Sequence, residues 1–146
     1  MARNALVVAT PPERVWEVLA DPVLYGDWVV GSDVIRDWDD DWPAEGARLH
    51  HRVGRRPIAL ADRTEVLESE PPHRLVLRAH ARPLPAARVE LRLEPHPAGT
   101  LVTMIEDPDN VLARHAVPVH PVVRLRNGES LRRLRALAER AHGVFV

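Results

Sequence analysis

Cysteine and lysine are both missing from this sequence of 146 residues. The first absence removes disulfides, thiolate nucleophiles and thiolate metal sites together. The second leaves arginine to supply all 20 basic residues. With the abundance of Ala, Val and Pro, we read this as GC-rich codon usage and not as a functional device. Long apolar runs are scarce too. The N-terminal ALVVA is too short for a signal-peptide core and runs directly into PPER. No segment approaches the ~20 apolar residues of a membrane-spanning helix. An excess of one charge is also lacking, since the formal net charge is −1, which offers nothing to nucleic acid. There is no Gly-rich phosphate loop and no Gly-x-Ser-x-Gly elbow. The expectation is a soluble, cytoplasmic protein with no nucleic-acid partner and no integral membrane association, monomeric or homodimeric.

What the chain does contain is 45% hydrophobic and 28% charged residues, which are globular proportions. A chain of this length buries ~70% of its unfolded surface around one core, so residues 1–146 are expected to form a single domain. Residues 4–9 predict a short strand. In TPPE, residues 10–13, Thr10 is placed as an N-cap, Pro11 at the first helical position and Glu13 as the partner in a capping box. The helix over 11–20 turns Val15, Trp16, Val18 and Leu19 to one side, and Asp21 caps a second short helix through Asp27. From Gly31 to Glu106, alternating runs separated by GRRP, ESEPPH, ARPLPA and EPHPAG predict an antiparallel meander. After a link holding Pro108, Pro118 and Pro121, steps of three and four predict a long helix over 121–142. Its core face reads Val123, Asn127, Ser130, Leu134, Leu137 and Ala141, flanked by Leu131 and Ala138.

A register follows from the meander. Leu75, Leu77, Ala79 and Ala81 share one face, as do Ala87, Val89, Leu91 and Leu93. Matching those faces across the turn at 82–86 sets Arg78 opposite Glu90 and Arg74 opposite Glu94, a ladder of opposite charges. The sheet is then expected to cover its core on one side, with a solvated charge ladder on the other.

The order of elements resembles the START-related SRPBCC superfamily, and within it the polyketide cyclase/dehydrase and lipid-transport group. The residues that carry the resemblance are VVATPPERVWEVLADPVLYGDW, WPAEGARLHH, TEVLESEPPHRLVLRA, GTLVTMIED and ESLRRLRALAE. The resemblance implies an α+β helix-grip fold, a curved antiparallel sheet wrapped around a long C-terminal helix with a hydrophobic cavity between them. It implies no particular reaction, because fold does not fix function.

Candidate chemistry centres on LHHRVG, residues 49–54. Successive strand side chains point to opposite faces, so His50 and His51 cannot both line one cavity, and a two-histidine metal site is not expected there. If Leu49 and Val53 face inwards, His51 does too. Pairing with the strand over 57–68 sets His51 beside Leu60, Leu49 beside Asp62, and Asp62 diagonal to His51. Asp62 falls beside Ala79, whose small side chain leaves room for a ligand. One reading is a hydrogen-bonded His–Asp pair that only satisfies two interior polar groups. The other is a cavity pair that orients a ligand or acts as acid and base, with His51 and Asp62 as the catalytic candidates.

Asn127 lies on the core face of the long helix and is followed by Gly128, which costs about 1 kcal/mol against Ala in a helix interior. Either the helix packs closely against the first helices here, or it thins to admit a ligand that Asn127 hydrogen-bonds. Trp16 is placed in the core; Trp28, Trp38 and Trp42 suit a cavity rim or plain packing. Thr64, Leu77, Ala79 and Leu91 on the apolar faces, with Trp28 and Trp38, complete the candidate ligand contacts. Tyr25 offers a hydroxyl whose direction the sequence leaves open, as it does the inward faces of 32–38 and 100–106. The run Asp37, Asp39, Asp40, Asp41 fails the calcium-loop spacing, which needs Gly sixth and Glu twelfth where Trp42 and Arg48 stand. Neither metal nor cofactor is expected. The leading expectation is a binder of a hydrophobic or aromatic small molecule, polyketide- or lipid-like. The alternatives are an aromatase/cyclase or dehydrase-type enzyme using His51 and Asp62, and a protein-interaction module with a vestigial cavity.

Overall fold

The computed structural model describes residues 1–30, 32–53, 60–80, 86–109 and 120–140, with side chains at all of these except 32–34, 36, 51–53, 60–62 and 120. The elements run β1 (Ala2–Val8), α1 (Pro12–Leu19), α2 (Tyr25–Trp28), β2 (Ser32–Trp38), β3 (Arg48–Val53), β4 (Leu60–Glu70), β5 (Arg74–Ala79), β6 (Ala87–His96), β7 (Gly99–Pro108) and α3 (His120–Arg140). Seven strands form one antiparallel sheet in the order β1-β7-β6-β5-β4-β3-β2. The α3 helix runs closest to β1, with α1 and α2 against it. This is the helix-grip architecture that the family resemblance implies.

The core lies between sheet and α3. Leu75, Leu77, Val89, Leu91, Leu93, Val102 and Met104 of the sheet are buried with Leu131, Leu134 and Ala138 of α3 and with Val15, Val18 and Leu19 of α1. The helical spacing holds, since Asn127, Ser130, Leu131, Leu134 and Ala138 are buried while Val123 and Leu137 are half-buried. Ala141 lies outside the described residues. At the β6–β7 turn Gly99 has φ +138°, and a Cβ there would collide with Val8 O. Only glycine fits that approach, which lets the Thr100 hydroxyl donate to Thr10 O at 2.7 Å and ties the turn to the start of α1.

Several local expectations are corrected. Thr10 does not cap α1: the N-cap is Pro11, with no side-chain cap hydrogen bond. Thr10 is instead buried, and its hydroxyl finds no partner among the described residues. Two prolines in succession fix an extended entry and place Pro12, not Pro11, inside the first turn. Asp21 accepts a hydrogen bond from Val23 N, and the helix after it begins only at Tyr25.

Both predicted registers are off by two residues. On β5–β6, Arg74 faces Arg92, Val76 faces Glu90 and Arg78 faces Arg88. On β3–β4, His51 faces Asp62 directly and Leu49 faces Thr64, while Ala79 pairs with Thr64 and not Asp62. A two-residue slip keeps every side chain on its face, so the apolar pattern alone does not separate the two registers. The charge criterion misleads because arginine reaches diagonally. Glu90 accepts from Arg74 Nε at 2.8 Å and from Arg92 Nε at 2.8 Å, so the like charges of one rung share a carboxylate of the next. Nor is the reverse face simply solvated. Val76, Glu90 and Thr103 are buried there, beneath the arginine side chains.

Candidate functional site

Because the ladders are antiparallel and nearly in step, the inward residues form rows across the sheet. Leu6, Leu93 and Val102 make one row, and Asn4, Leu75, Leu91 and Met104 the next. Then come Ala2, Val66, Leu77, Val89 and Glu106, followed by Leu49, Thr64, Ala79, Ala87 and Pro108. The next register position on β3–β4 pairs His51 with Asp62. The rows over β4 to β7 are thus apolar from the β6–β7 turn inwards and acquire a carboxylate, then a hydroxyl.

The polar end has a defined geometry. Glu106, with 12% of its side chain exposed, accepts two hydrogen bonds from Arg126 Nη2, at 2.9 and 2.8 Å, and one from Asn127 Nδ2 at 3.1 Å. Such charge-assisted bonds are the strong ones. They pin a carboxylate under the first half of α3, which answers the need of an inward Asn127 for a partner. Gly128 does not pack on the first helices; its closest neighbour is Asn4 Nδ2 of β1, 3.4 Å from where a Cβ would stand.

Opposite this clamp, the Tyr25 hydroxyl lies 3.2 Å from Thr64 Oγ1. Burial pushes the Tyr25 phenol up to about 12, with Thr64 opposing the shift and the Glu106 carboxylate adding to it. The phenol is therefore neutral throughout the physiological range. Its ring sits edge-on to Trp28, centroids 5.7 Å apart, and to Trp42 at 6.2 Å, a favourable arrangement for aromatic pairs. The indole N–H of Trp42 donates to Leu19 O at 3.3 Å.

Of the residues singled out in the sequence, Thr64, Leu77, Leu91, Asn127 and Trp28 are buried. Ala79 is half-buried in the Thr64 row. Trp28 and Trp42 sit in the core and not at a rim; Trp38, 38% exposed, is on edge strand β2. Trp16 is half-buried against the core. His51 and Asp62 are brought opposite each other by backbone pairing; their side chains lie outside the described ones. The direction of Tyr25 and the role of Glu106 were not legible. In TLVTMIE apolar residues occupy both alternations, so the inward face of β7 has no clean period-two signature. Asp37, Asp39, Asp40 and Asp41 are exposed, and Asp39 closes its loop by accepting from Arg48 N at 3.0 Å.

The fold recurs widely. A Chromobacterium violaceum protein of known structure superposes with a TM-score of 0.72 at 21% identity, covering 94% of this chain and 96% of that one. A Rhodobacter sphaeroides protein gives 0.71 at 24% identity, over 92% and 89%. The di-domain ARO/CYC StfQ from the steffimycin biosynthetic pathway gives 0.72 at 15% identity, over 97% of this chain and 51% of that one. No protein of curated function matches the sequence. A family model described as polyketide cyclase/dehydrase and lipid transport matches residues 3–139.

Proposed function

Because the chain belongs to the polyketide cyclase/dehydrase and lipid-transport family, we propose that residues 1–146 act as one unit that holds a hydrophobic or aromatic small molecule between the sheet and α3. The observation that carries this is the polarity gradient of the inward rows. An apolar region around Leu75, Leu91 and Met104 passes into a region with Glu106, Tyr25 and Thr64. A molecule with an apolar body and one polar end fits such a gradient in a single orientation, since a few placed polar groups in an apolar site fix orientation. Tyr25 and Thr64 supply neutral hydrogen-bonding groups, and Leu77, Ala79 and Asn127 flank them. The test is titration with the neutral fluorophore N-phenyl-1-naphthylamine. Saturable binding at one site per chain, weakened by Thr64→Val and unchanged by Val122→Ser on the exposed start of α3, supports the proposal. Unsaturable uptake, or equal behaviour of both variants, contradicts it.

A second function, catalysis of a cyclase or dehydrase type, is favoured by one specific feature. The β3–β4 ladder sets His51 opposite Asp62, one rung beyond Thr64 and its protonated partner Tyr25. A carboxylate beside an imidazole can set its tautomer, and a neutral phenol can donate a proton. In an enzyme, Asp62→Asn abolishes turnover while the molecule still binds. In a carrier, the same change alters affinity and there is no turnover to lose.

A further inference from the structure

Two indoles flank Tyr25, and they differ in one respect. The N–H of Trp42 is satisfied by Leu19 O at 3.3 Å. The N–H of Trp28 is buried, in a residue only 2% exposed, and meets no acceptor among the described residues. An indole nitrogen can only donate, and a buried donor without a partner is costly enough that natural interiors rarely keep one without a reason. Trp28 ends α2, which lies against β2 and α3, and its ring adjoins the Tyr25 ring that carries the inward hydroxyl. The ring that carries this unpaired donor therefore stands beside Tyr25, at the polar end of the gradient described above.

We propose that Trp28 Nε1 donates a hydrogen bond to a neutral carbonyl oxygen of the molecule held in the interior, which makes an apolar aromatic ketone or aldehyde, and not an acid, the preferred ligand class. This rests on the binding function proposed above. The neutrality follows from the charges present. Glu106 is matched by Arg126 through two hydrogen bonds, and among the described residues no inward-facing cation lacks a carboxylate. A ligand carboxylate would have to displace Glu106 from Arg126, whereas a carbonyl takes up a donor that is already waiting. Sites built around a hydrogen-bond donor discriminate strongly against analogues lacking the acceptor.

The experiment compares 2-acetylnaphthalene with 2-ethylnaphthalene, which have nearly the same shape and differ in the carbonyl oxygen. Their dissociation constants are measured on the native chain and on Trp28→Phe. The expected result is that the native chain binds the ketone about tenfold more tightly, and that Trp28→Phe erases this preference while keeping its affinity for 2-ethylnaphthalene. Should Trp28→Phe fail to fold, the indole proton resonance of Trp28 in the native chain gives the same answer. It moves downfield with the ketone and not with the hydrocarbon. Equal binding of both compounds, a preference that survives Trp28→Phe, or an indole resonance indifferent to the ketone overturns the inference while leaving the binding function standing. Failure of both compounds to bind overturns the binding function itself, and the inference with it.

Discussion

Tyr25 gives the most direct residue-level test of the interior. It is the single tyrosine of a chain that has neither lysine nor cysteine, so between pH 9 and 12 its phenol titrates without interference from other side chains. Burial raises its pKa to about 12, against about 10 in the unfolded chain. The phenolate absorbance should therefore rise about two units later in the native protein than in denaturant. The raised value means that the stabilisation is fully present below pH 10 and is lost as pH climbs towards 12, by roughly 2–3 kcal/mol. A native midpoint near 10 would show Tyr25 in water. The Glu106 clamp gives a second test, through an asymmetry. Glu106 is 12% exposed and Arg126 40% exposed at the side chain. Arg126→Met leaves a sheltered carboxylate with Asn127 alone and is expected to cost about 1–3 kcal/mol, more than Glu106→Gln, which leaves a guanidinium that can reach water. Thermal unfolding of the two variants decides the order. Neither residue was foreseen in its role, because a single inward glutamate in an ambiguous strand leaves no periodic trace.

At the scale of elements, the strands and the helix were legible and their registers were not. Alternation with period two fixed which residues of 74–79 and 87–94 face inwards, and the described burial of Leu75, Leu77, Val89 and Leu91 agrees. Alternation cannot see a slip of two, and the opposite-charge pairing that was meant to break the tie assumed that ion pairs sit on one rung. A chain without cysteine makes the register directly testable. Residues opposite each other have Cβ atoms about 5 Å apart, and diagonal neighbours stand farther away, beyond the reach of an unstrained disulfide. Oxidation should cross-link Arg78→Cys with Arg88→Cys and should fail for Arg78→Cys with Glu90→Cys; the reverse pattern would restore the charge-paired register. The outer cluster also carries a pH signature. Hydrogen bonds from Arg92 and Arg74 hold the Glu90 carboxyl below its ordinary value. That contribution is present above about pH 4.5 and is lost as pH falls through the lower native value, so acid titration of Glu90→Gln should show a shallower loss of stability than the native chain.

For the whole molecule, the helix-grip architecture came from the order and spacing of five modest motifs, none decisive alone, and a family match across residues 3–139 agrees with it. The candidate site was legible only in outline. The helical period turned Asn127 inwards, and it is buried, whereas the face taken by His51 lies outside the described side chains. The aromatic group of Tyr25, Trp28 and Trp42 depends on how α2 and the loop before β3 fold over the sheet, a contact between segments that no local pattern encodes. What the assembled rows add to the expected binder is a direction, from an apolar region to a polar one. The most direct measurement is native mass spectrometry of the untagged chain after incubation with an organic extract of its expression host, paired with a denaturing spectrum of the same sample. One small apolar molecule per chain, present in the native spectrum and lost on denaturation, is the predicted result. A bare chain mass of 16.4 kDa under both conditions would contradict a ligand-holding interior.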